Sequence, residues 1–314
     1  MPCGTRRIRN SPLVSRARAW FPRWFWPAFA SPATLWLVVL FVLPFYTILS
    51  VAFGTVDPIF GSAQPVWNPL HWDATAMRFV LNQTFFQGGI YQPALLRTLM
   101  YVGSALALCL IIGYPVAYYI ARHAGRWKTV FLVGLIAPFW ISYLMRMLAW
   151  VNLLQDDGLV NRSLTFVGVL GAPHHWLDGQ GLTVMLGLVY GYIPYMILPL
   201  FGSLDRVDRS LLEAARDLGA SPVRTFFRVT LPLSRQAILA GAVIVTLPMF
   251  GDYYTADLLS ASPRTTMLGN VVDHAVNSPF VTRAASLVVV MMGLLVLPML
   301  YYLYSTNREV REAT

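Results

Sequence analysis

Residues 98–121, TLMYVGSALALCLIIGYPVAYYIA, contain no charged side chain. A helix rises about 1.5 Å per residue, so about 20 apolar residues cross the roughly 30 Å hydrocarbon core of a membrane. This stretch is long enough to span one. Three further stretches, residues 33–53, 182–204 and 284–307, also lack charge. The four stretches therefore predict four membrane-spanning helices.

Two other apolar stretches carry isolated charges and predict two more spans. One includes Arg146, and the other includes Asp252 and Asp257. The six predicted spans are residues 33–53, 94–121, 128–150, 181–204, 236–258 and 284–305. One such stretch could be the buried helix of a large soluble protein, but six leave too little polar sequence to bury them. The predicted fold class is an all-α integral membrane protein with six transmembrane helices.

The composition excludes an ordinary soluble enzyme. Charged residues make up 12% of the 314 residues and hydrophobic residues make up 57%. A typical soluble domain has about 25% charged residues. The formal net charge of +9 would also suit nucleic-acid binding, and the positions of the basic residues decide between the two interpretations.

Basic residues cluster between alternate predicted spans. With the N-terminus in the cytoplasm, 17 of the 23 Lys and Arg residues fall on the cytoplasmic side. Cytoplasmic loops of membrane proteins carry an excess of Lys and Arg, so both termini are predicted to be cytoplasmic, and no nucleic-acid partner is expected. The predicted segments are an Arg-rich tail at residues 1–32, a membrane domain at residues 33–305 and a C-terminal tail at residues 306–314.

The sequence lacks the motifs of common catalytic sites. A phosphate-binding P-loop needs a lysine directly after a glycine, but the only lysine is Lys128, and Trp127 precedes it. No HExxH, CxxC or GxSxG pattern occurs either. We therefore predict no catalytic residue, no metal site and no cofactor in this chain.

Two glycines in the fourth predicted span indicate a close helix contact. Gly187 and Gly191 are four residues apart, and this GxxxG spacing places both on one face of a helix, where a neighbouring backbone can approach.

The connection between the fourth and fifth predicted spans has helix signals of its own. It reads DRVDRSLLEAARDLGASPVRTFFRVTLP over residues 205–232. Ser210 and Glu213 have the spacing of a capping box, with Asp208 as an alternative N-cap. Gly219 is placed to end this first helix in the left-handed conformation.

A second short helix is predicted directly after that glycine. Ser221 is a favourable N-cap residue, and Pro222 suits the first helical position. The apolar residues of the first helix share one face, which is also typical of a helix lying on lipid headgroups. They are Leu211, Leu212, Ala215 and Leu218.

The loop also carries a specific pattern of residues. Residues 213–215 are Glu-Ala-Ala, Gly219 follows after three residues, and Val-Thr-Leu-Pro follows after nine more at residues 229–232. This resembles the EAA loop of ABC-importer permeases, E-A-A-x3-G-x9-I-x-L-P, with Val229 in place of the usual Ile. In that family the loop forms coupling helices that dock into the ATP-hydrolysing subunit.

The resemblance implies a role for particular residues of the loop. They are Glu213, Ala214, Ala215, Asp217, Gly219, Ser221, Leu231 and Pro232. Glu213 would offer its charge to a basic group of the partner, and the two alanines are small enough for close helix approach. Gly219 would set the angle between the two helices. The final Leu-Pro pair would fix the turn into the fifth span.

Longer stretches are similar to the first permease subunit of spermidine/putrescine importers, and together they cover residues 33–305. They are residues 113–121, 137–150, 187–204 and 211–221. The resemblance implies a MetI-like type I importer of the bacterial inner membrane. Its partners would be a second permease, a pair of ATPase subunits that bind ATP and Mg²⁺, and an extracytoplasmic solute-binding protein. Polyamine is the expected solute, with organophosphonate, ferric iron or thiamine as alternatives within the family.

Acidic and aromatic residues in the fifth predicted span are candidates for the solute path. Asp252, Tyr253, Tyr254 and Asp257 lie in GDYYTADLL, residues 251–259. Ionisable groups inside a membrane segment are functional candidates by default, and carboxylates with aromatic faces suit an alkylammonium. The alternative is structural, with both aspartates capping helices or pairing with groups such as Arg97 or Arg146.

Two other classes of protein remain to be distinguished from a permease subunit. A self-contained channel or secondary transporter would need inverted repeats or a coupling-ion site, and a membrane enzyme would need converging His, Asp or Cys residues. Neither pattern is evident in the sequence, and a channel has no use for an EAA loop.

Overall fold

A computed structural model describes residues 24–57, 63–86 and 88–313, with side chains described as far as residue 308. The predicted Arg-rich tail lies mostly outside the described residues. The chain divides into two compact units, Met1–Thr47 and Ile48–Thr314.

The described residues are mainly helical. The helices are α1 (Phe25–Ala52), α2 (Thr75–Phe85), α3 (Gln92–Arg122), α4 (Lys128–Ile136), α5 (Tyr143–Leu154), α6 (Leu159–Phe166), α7 (Gly181–Arg206), α8 (Arg209–Asp217), α9 (Pro222–Thr225), α10 (Leu231–Leu233), α11 (Arg235–Phe250), α12 (Tyr254–Leu259), α13 (Leu268–Val276) and α14 (Val281–Ala313). Two short strands, β1 (Thr55–Val56) and β2 (Ala63–Gln64), pair antiparallel, with Thr55 opposite Gln64.

Four helices are long and apolar enough to cross a membrane: α1, α3, α7 and α14. They coincide with the four charge-free stretches of the sequence. Two bent helix pairs have the composition of a span when each pair is taken together, which gives four to six candidate spans among the described residues. Two helices are longer than the predicted spans: α1 begins before residue 33, and α14 continues past residue 305. A helix can extend beyond its apolar stretch, because backbone hydrogen bonding does not require apolar side chains.

The span predicted over residues 128–150 is broken into two helical parts. The helical segment ends at Trp140, Ile141 and Ser142 adopt extended ψ angles of 139° and 141°, and α5 then begins. The two parts meet at 89°. Pro138 lies in the tight helical turn just before the break, where its missing N–H favours the end of a helix.

The span predicted over residues 236–258 is also broken. Helix α11 ends at Phe250, and the chain is non-helical at residues 251–253 before α12 begins. Asp252 stabilises the start of α12, because its Oδ1 accepts the backbone N–H of Thr255 at 3.0 Å. An aspartate in this position satisfies a donor at the start of the new helix.

Helices α3 and α7 form the centre of the larger unit. Small buried residues recur every fourth position along α3; they are Ala105, Cys109, Gly113, Ala117 and Ala121. The thiol of Cys109 donates to the carbonyl of Val189 on α7 at 3.8 Å. A Cβ atom on Gly113 would lie 3.2 Å from Cγ1 of Ile197 on α7. Small residues at this spacing let two backbones approach closely, so the contact gains dispersion energy along its length.

The glycine pair on α7 makes the predicted close contacts. A Cβ atom on Gly187 would lie 2.8 Å from Cγ2 of Thr255, and one on Gly191 would lie 2.8 Å from Cε2 of Tyr143. Helices α12 and α5 therefore pack directly on the α7 backbone. The GxxxG prediction is confirmed.

We expect Gly191→Ala to destabilise the protein by about 1–3 kcal/mol, because the added methyl group overpacks the contact with Tyr143. The thermal unfolding midpoint of the purified protein in detergent measures this. Gly202→Ala is the matched control, since Gly202 lies on the same helix and a Cβ atom there meets no atom within 4 Å. Equal midpoints for the two variants would contradict the packing described for Gly191.

Candidate functional site

The loop between α7 and α11 begins with an aspartate cap. The carboxylate of Asp208 accepts the backbone N–H of Ser210 at 3.0 Å, and α8 starts at Arg209. Hydrogen bonding from the backbone N–H and the side chain of Ser210 lowers the pKa of Asp208 below its ordinary value. The capping box predicted at Ser210 is wrong, because Ser210 lies inside the first turn, and the alternative cap, Asp208, is the one used.

Gly219 ends α8 as predicted, in the left-handed conformation with φ of +79°. Its N–H bonds the carbonyl of Arg216 at 2.8 Å, and the N–H of Ala220 bonds the carbonyl of Ala215 at 3.0 Å. This pair of bonds is a Schellman motif, which satisfies the last carbonyls of the helix. A residue with a Cβ atom would be strained in this left-handed conformation and would destabilise the turn.

The second helix of the loop begins at its predicted cap. The hydroxyl of Ser221 accepts the N–H of Arg224 at 3.3 Å, and Pro222 occupies the first helical position. The helix continues through a wider π-helical turn, residues 226–230, and ends at Leu233. A 61° bend then leads into α11.

The bend is anchored by a buried serine. Ser234 lies between the two helices, and its hydroxyl bonds the hydroxyl of Tyr114 on α3 at 2.8 Å. Leu231 and Pro232 form the turn immediately before it. The Leu-Pro pair therefore lies at the entry to α11, and Ser234 holds the bend itself.

The loop presents large apolar side chains to the outside of this chain. Leu218 is 89% exposed, Val223 is 66% exposed and Phe227 is 60% exposed. Glu213, Ala214 and Asp217 are exposed as well, and Ala215 is half-buried. Such a surface can bury apolar area against a lipid or protein partner while its carboxylates meet basic groups.

Glu213 also lies close to basic groups of its own chain. A cavity of about 260 Å³ is lined by Tyr118, Arg122, His123, Arg209, Leu212, Glu213 and Arg216. Within the described part of the chain, buried Nε and Nη2 of Arg122 have no hydrogen-bond acceptor. Arg122 was not predicted from the sequence. It is the last residue of α3, far along the chain from α8, and only the folded structure brings it into this cavity.

A second cluster surrounds the buried aspartate at the break between α11 and α12. Asp252 is 6% exposed. Its Oδ2 accepts the hydroxyls of Tyr143 at 2.6 Å, Tyr192 at 3.1 Å and Thr255 at 2.7 Å. With the N–H of Thr255 on Oδ1, the carboxylate has four donors. Asp252 therefore joins α5, α7 and α12.

The two arginines considered as partners of the aspartates bind elsewhere. Nη1 of Arg97 donates to the carbonyl of Pro263 at 2.8 Å. The buried guanidinium of Arg146 lies over the ring of Phe139, 4.1 Å from its centroid, and 5.3 Å from that of Tyr143. Asp252 is thus held by hydroxyl and backbone donors and not by an arginine.

The other predicted residues lie around the start of α12. The rings of Tyr253 and Tyr254 have centroids 4.1 Å apart. Asp257 accepts Nδ2 of Asn270 at 2.7 Å, and the same nitrogen donates to the carbonyl of Tyr253 at 2.7 Å. Asn270 is fully buried. It links α13 to this cluster, and its distance of more than ten residues from Asp257 concealed that role in the sequence.

The hydroxyl groups on Asp252 were also missed from sequence. Thr255 has a usable signal, since an aspartate followed three residues later by threonine fits a helix cap. Tyr143 and Tyr192 have none, because they reach Asp252 from positions 109 and 60 residues away.

The sequence matches the family described as "Binding-protein-dependent transport system inner membrane component" over residues 15–311. The chain belongs to this family. Its members are non-catalytic membrane subunits of ABC transporters, and this member is an inner-membrane permease of the type I importer class with several candidate spans.

Curated relatives are similar over most of the chain. The spermidine/putrescine transport system permease protein PotB of Haemophilus influenzae is 34% identical over 265 residues, covering 83% of this chain and 88% of the relative. PotB of Escherichia coli K12 is 32% identical over 269 residues, covering 83% and 92%. The inner membrane ABC transporter permease protein YdcU of Escherichia coli K12 is 33% identical over 198 residues, covering 58% and 63%.

Solved structures share the fold at low sequence identity. A bacterial alginate ABC transporter, in complex with an alginate pentasaccharide-bound periplasmic protein, has a chain that matches with a TM-score of 0.66 and 16% identity. The match covers 91% of this chain and 94% of that chain. A second structure, of a bacterial ABC transporter involved in the import of alginate, has a TM-score of 0.65 and 16% identity and covers 91% and 96%.

We expect Tyr143→Phe to lower the free energy of unfolding by about 1–3 kcal/mol, because it removes a donor from a buried carboxylate and leaves the ring in place. Thermal unfolding in detergent measures the loss. Tyr195→Phe is the control, since the Tyr195 hydroxyl makes no hydrogen bond with the described residues. If both variants unfold at the same temperature, Tyr143 does not stabilise the Asp252 cluster.

Proposed function

We propose that this chain is the permease subunit of an ATP-driven importer and forms, with a second homologous permease, the path of a small solute. ATP and Mg²⁺ bind to a pair of partner ATPase subunits, and an extracytoplasmic binding protein delivers the solute. The family match and the likeness to PotB over 83% of the chain support this assignment.

Coupling to the ATPase occurs through residues 205–232. The observation that carries this step is the exposed helix–turn–helix that contains the EAA pattern and ends α8 at Gly219. Leu218, Val223 and Phe227 supply the apolar contact, and Glu213 supplies a negative charge to the partner. The EAA pattern favours a protein partner over the lipid surface, because in the permeases that it resembles this loop docks into the ATP-hydrolysing subunit.

The membrane orientation places residues 1–32 and 306–314 in the cytoplasm, with the coupling loop on the same side. The positive-inside distribution of Lys and Arg supports it. Lys128 and Asp205 form an ion pair between the start of α4 and the end of α7, so the two connections assigned to the cytoplasm lie side by side.

The solute is a polyamine of the spermidine/putrescine type. Two relatives named for spermidine/putrescine transport are 32–34% identical to this chain, and acidic and aromatic residues surround the break between α11 and α12. Asp252, Tyr253, Tyr254 and Asp257 are the proposed elements of the path, with Asp252 organising its geometry. Protonated amines suit carboxylates and aromatic faces.

Gly219→Val tests the coupling loop. A β-branched residue in the left-handed conformation costs about 1–2 kcal/mol, a ~5–30-fold shift in the population of the native turn. We expect solute uptake and co-purification of the ATPase to fall by a similar factor in the assembled transporter.

The matched control for this test is Gly168→Val. Gly168 has φ of +78°, and a Cβ atom there meets no atom within 4 Å, as at Gly219. The local backbone cost is therefore the same, but Gly168 lies outside the coupling loop. Normal ATPase-driven uptake by the Gly219→Val variant would refute the assignment, and so would equal losses in both variants.

The solute is tested by ATP hydrolysis of the transporter reconstituted with its binding protein. We expect spermidine and putrescine to stimulate hydrolysis, whereas an organophosphonate, ferric iron or thiamine should not. Stimulation by one of the latter alone would replace the solute and keep the importer class. Transport by this chain without an ATPase would overturn the class itself.

A further inference from the structure

An apolar groove of about 330 Å³ lies beside the break between α11 and α12. Its walls come from the end of α11, from α13 and from α14, and include Leu247, Val272, Val276, Val288, Met291 and Leu295. Two polar residues interrupt this lining, Tyr253 and Asp273. The groove thus combines a hydrocarbon surface with one carboxylate and one aromatic hydroxyl.

Asp273 differs from the other two aspartates of this region in its hydrogen bonding. Asp252 has four donors and Asp257 has the amide of Asn270. The carboxylate of Asp273, which is half-buried, forms no hydrogen bond or ion pair with any residue in the described ranges. It is the one of the three that has no hydrogen-bond donor within the described ranges, so a cation meets no competing donor there.

The wall that carries Asp273 is held in place by close backbone packing. A Cβ atom on Gly269 would lie 2.7 Å from the carbonyl oxygen of Asp252, so α13 touches the backbone at the break. One turn further along α13 is Asp273. Asn270 adds the hydrogen bond to the Tyr253 carbonyl. These contacts set Asp273 and Tyr253 in one groove.

We propose that this groove binds one end of a linear alkylammonium solute, and this proposal rests on the importer function above. Asp273 pairs with a terminal ammonium group, and the ring of Tyr253 contributes a cation–π contact. The methylene chain lies along the apolar walls, where its burial is favourable. A diamine or triamine satisfies all three features, whereas an anionic solute would place a negative charge against Asp273.

Asp252 and Asp273 have different roles in this proposal. Asp252 is buried and saturated with donors, so an ammonium group would have to displace a hydroxyl to reach it. Asp273 needs no such displacement. Asp252 therefore positions the break, and Asp273 selects the charge of the solute.

Asp273→Asn is the first test, in the full transporter reconstituted with its partner subunits and binding protein. We expect the concentration of spermidine that gives half-maximal uptake to rise by about tenfold or more, since a charge-assisted hydrogen bond is lost. Asp273→Glu, which keeps the carboxylate, should recover part of the affinity. Asp157→Asn is the control, because Asp157 is an exposed aspartate outside the groove, and its uptake should match the unaltered transporter.

A protection experiment tests occupancy of the groove directly. In a chain with Cys3→Ser and Cys109→Ala, Val276→Cys places a thiol in the groove, and Val296→Cys places one on α14 outside it. The native side chains are similarly exposed, at 51% and 46%. We expect spermidine to slow modification by a thiol reagent several-fold at position 276 and not at position 296.

The outcomes separate the two proposals. If the unaltered transporter does not import spermidine or putrescine, the proposed solute is wrong. If it imports them while Asp273→Asn behaves like Asp157→Asn, the groove assignment is wrong and the importer function stands. Equal protection at both cysteines, or none at position 276, also overturns the groove assignment.

Discussion

The arrangement of the second half of the chain depends on the hydrogen bonds to the buried carboxylate of Asp252. A charge inside a membrane protein is costly unless donors surround it, and Tyr143, Tyr192 and Thr255 supply them from three helices. The same carboxylate starts α12 through the Thr255 N–H. One side chain thus stabilises the interrupted helix and joins its neighbours across the break.

The close packing of α7 against α3, α5 and α12 makes that cluster possible. Gly113 lets α3 approach α7 closely, and Gly187 and Gly191 let α12 and α5 pack on α7. In a membrane, helix association relies on such packing, because lipid tails are as apolar as leucine. The α7 backbone is therefore the scaffold that brings Tyr192 to Asp252 and Tyr143 beside it.

Sequence patterns predicted the local features well. The charge-free stretches coincide with α1, α3, α7 and α14, and Gly219 and Ser221 mark the end of one helix and the start of the next in residues 205–232, as expected. The two spans with internal charges are interrupted. The sequence did not reveal these breaks, because hydropathy averages over many residues and does not register two extended residues such as Ile141 and Ser142. The cap of α8 also escaped a firm prediction. Asp208 and Ser210 are both suitable cap residues, and only the backbone geometry decides which side-chain oxygen accepts a free N–H.

The sequence by itself determined the class of protein, the long spans and the helix–glycine–helix of the loop, because hydrophobicity, capping and backbone preference act over a few neighbouring residues. Only the tertiary structure distinguishes the three aspartates. Asp252, Asp257 and Asp273 look alike in the sequence, and what distinguishes them is which donors the folded chain brings within hydrogen-bonding distance. Those donors come from helices distant along the chain, so no local pattern encodes them.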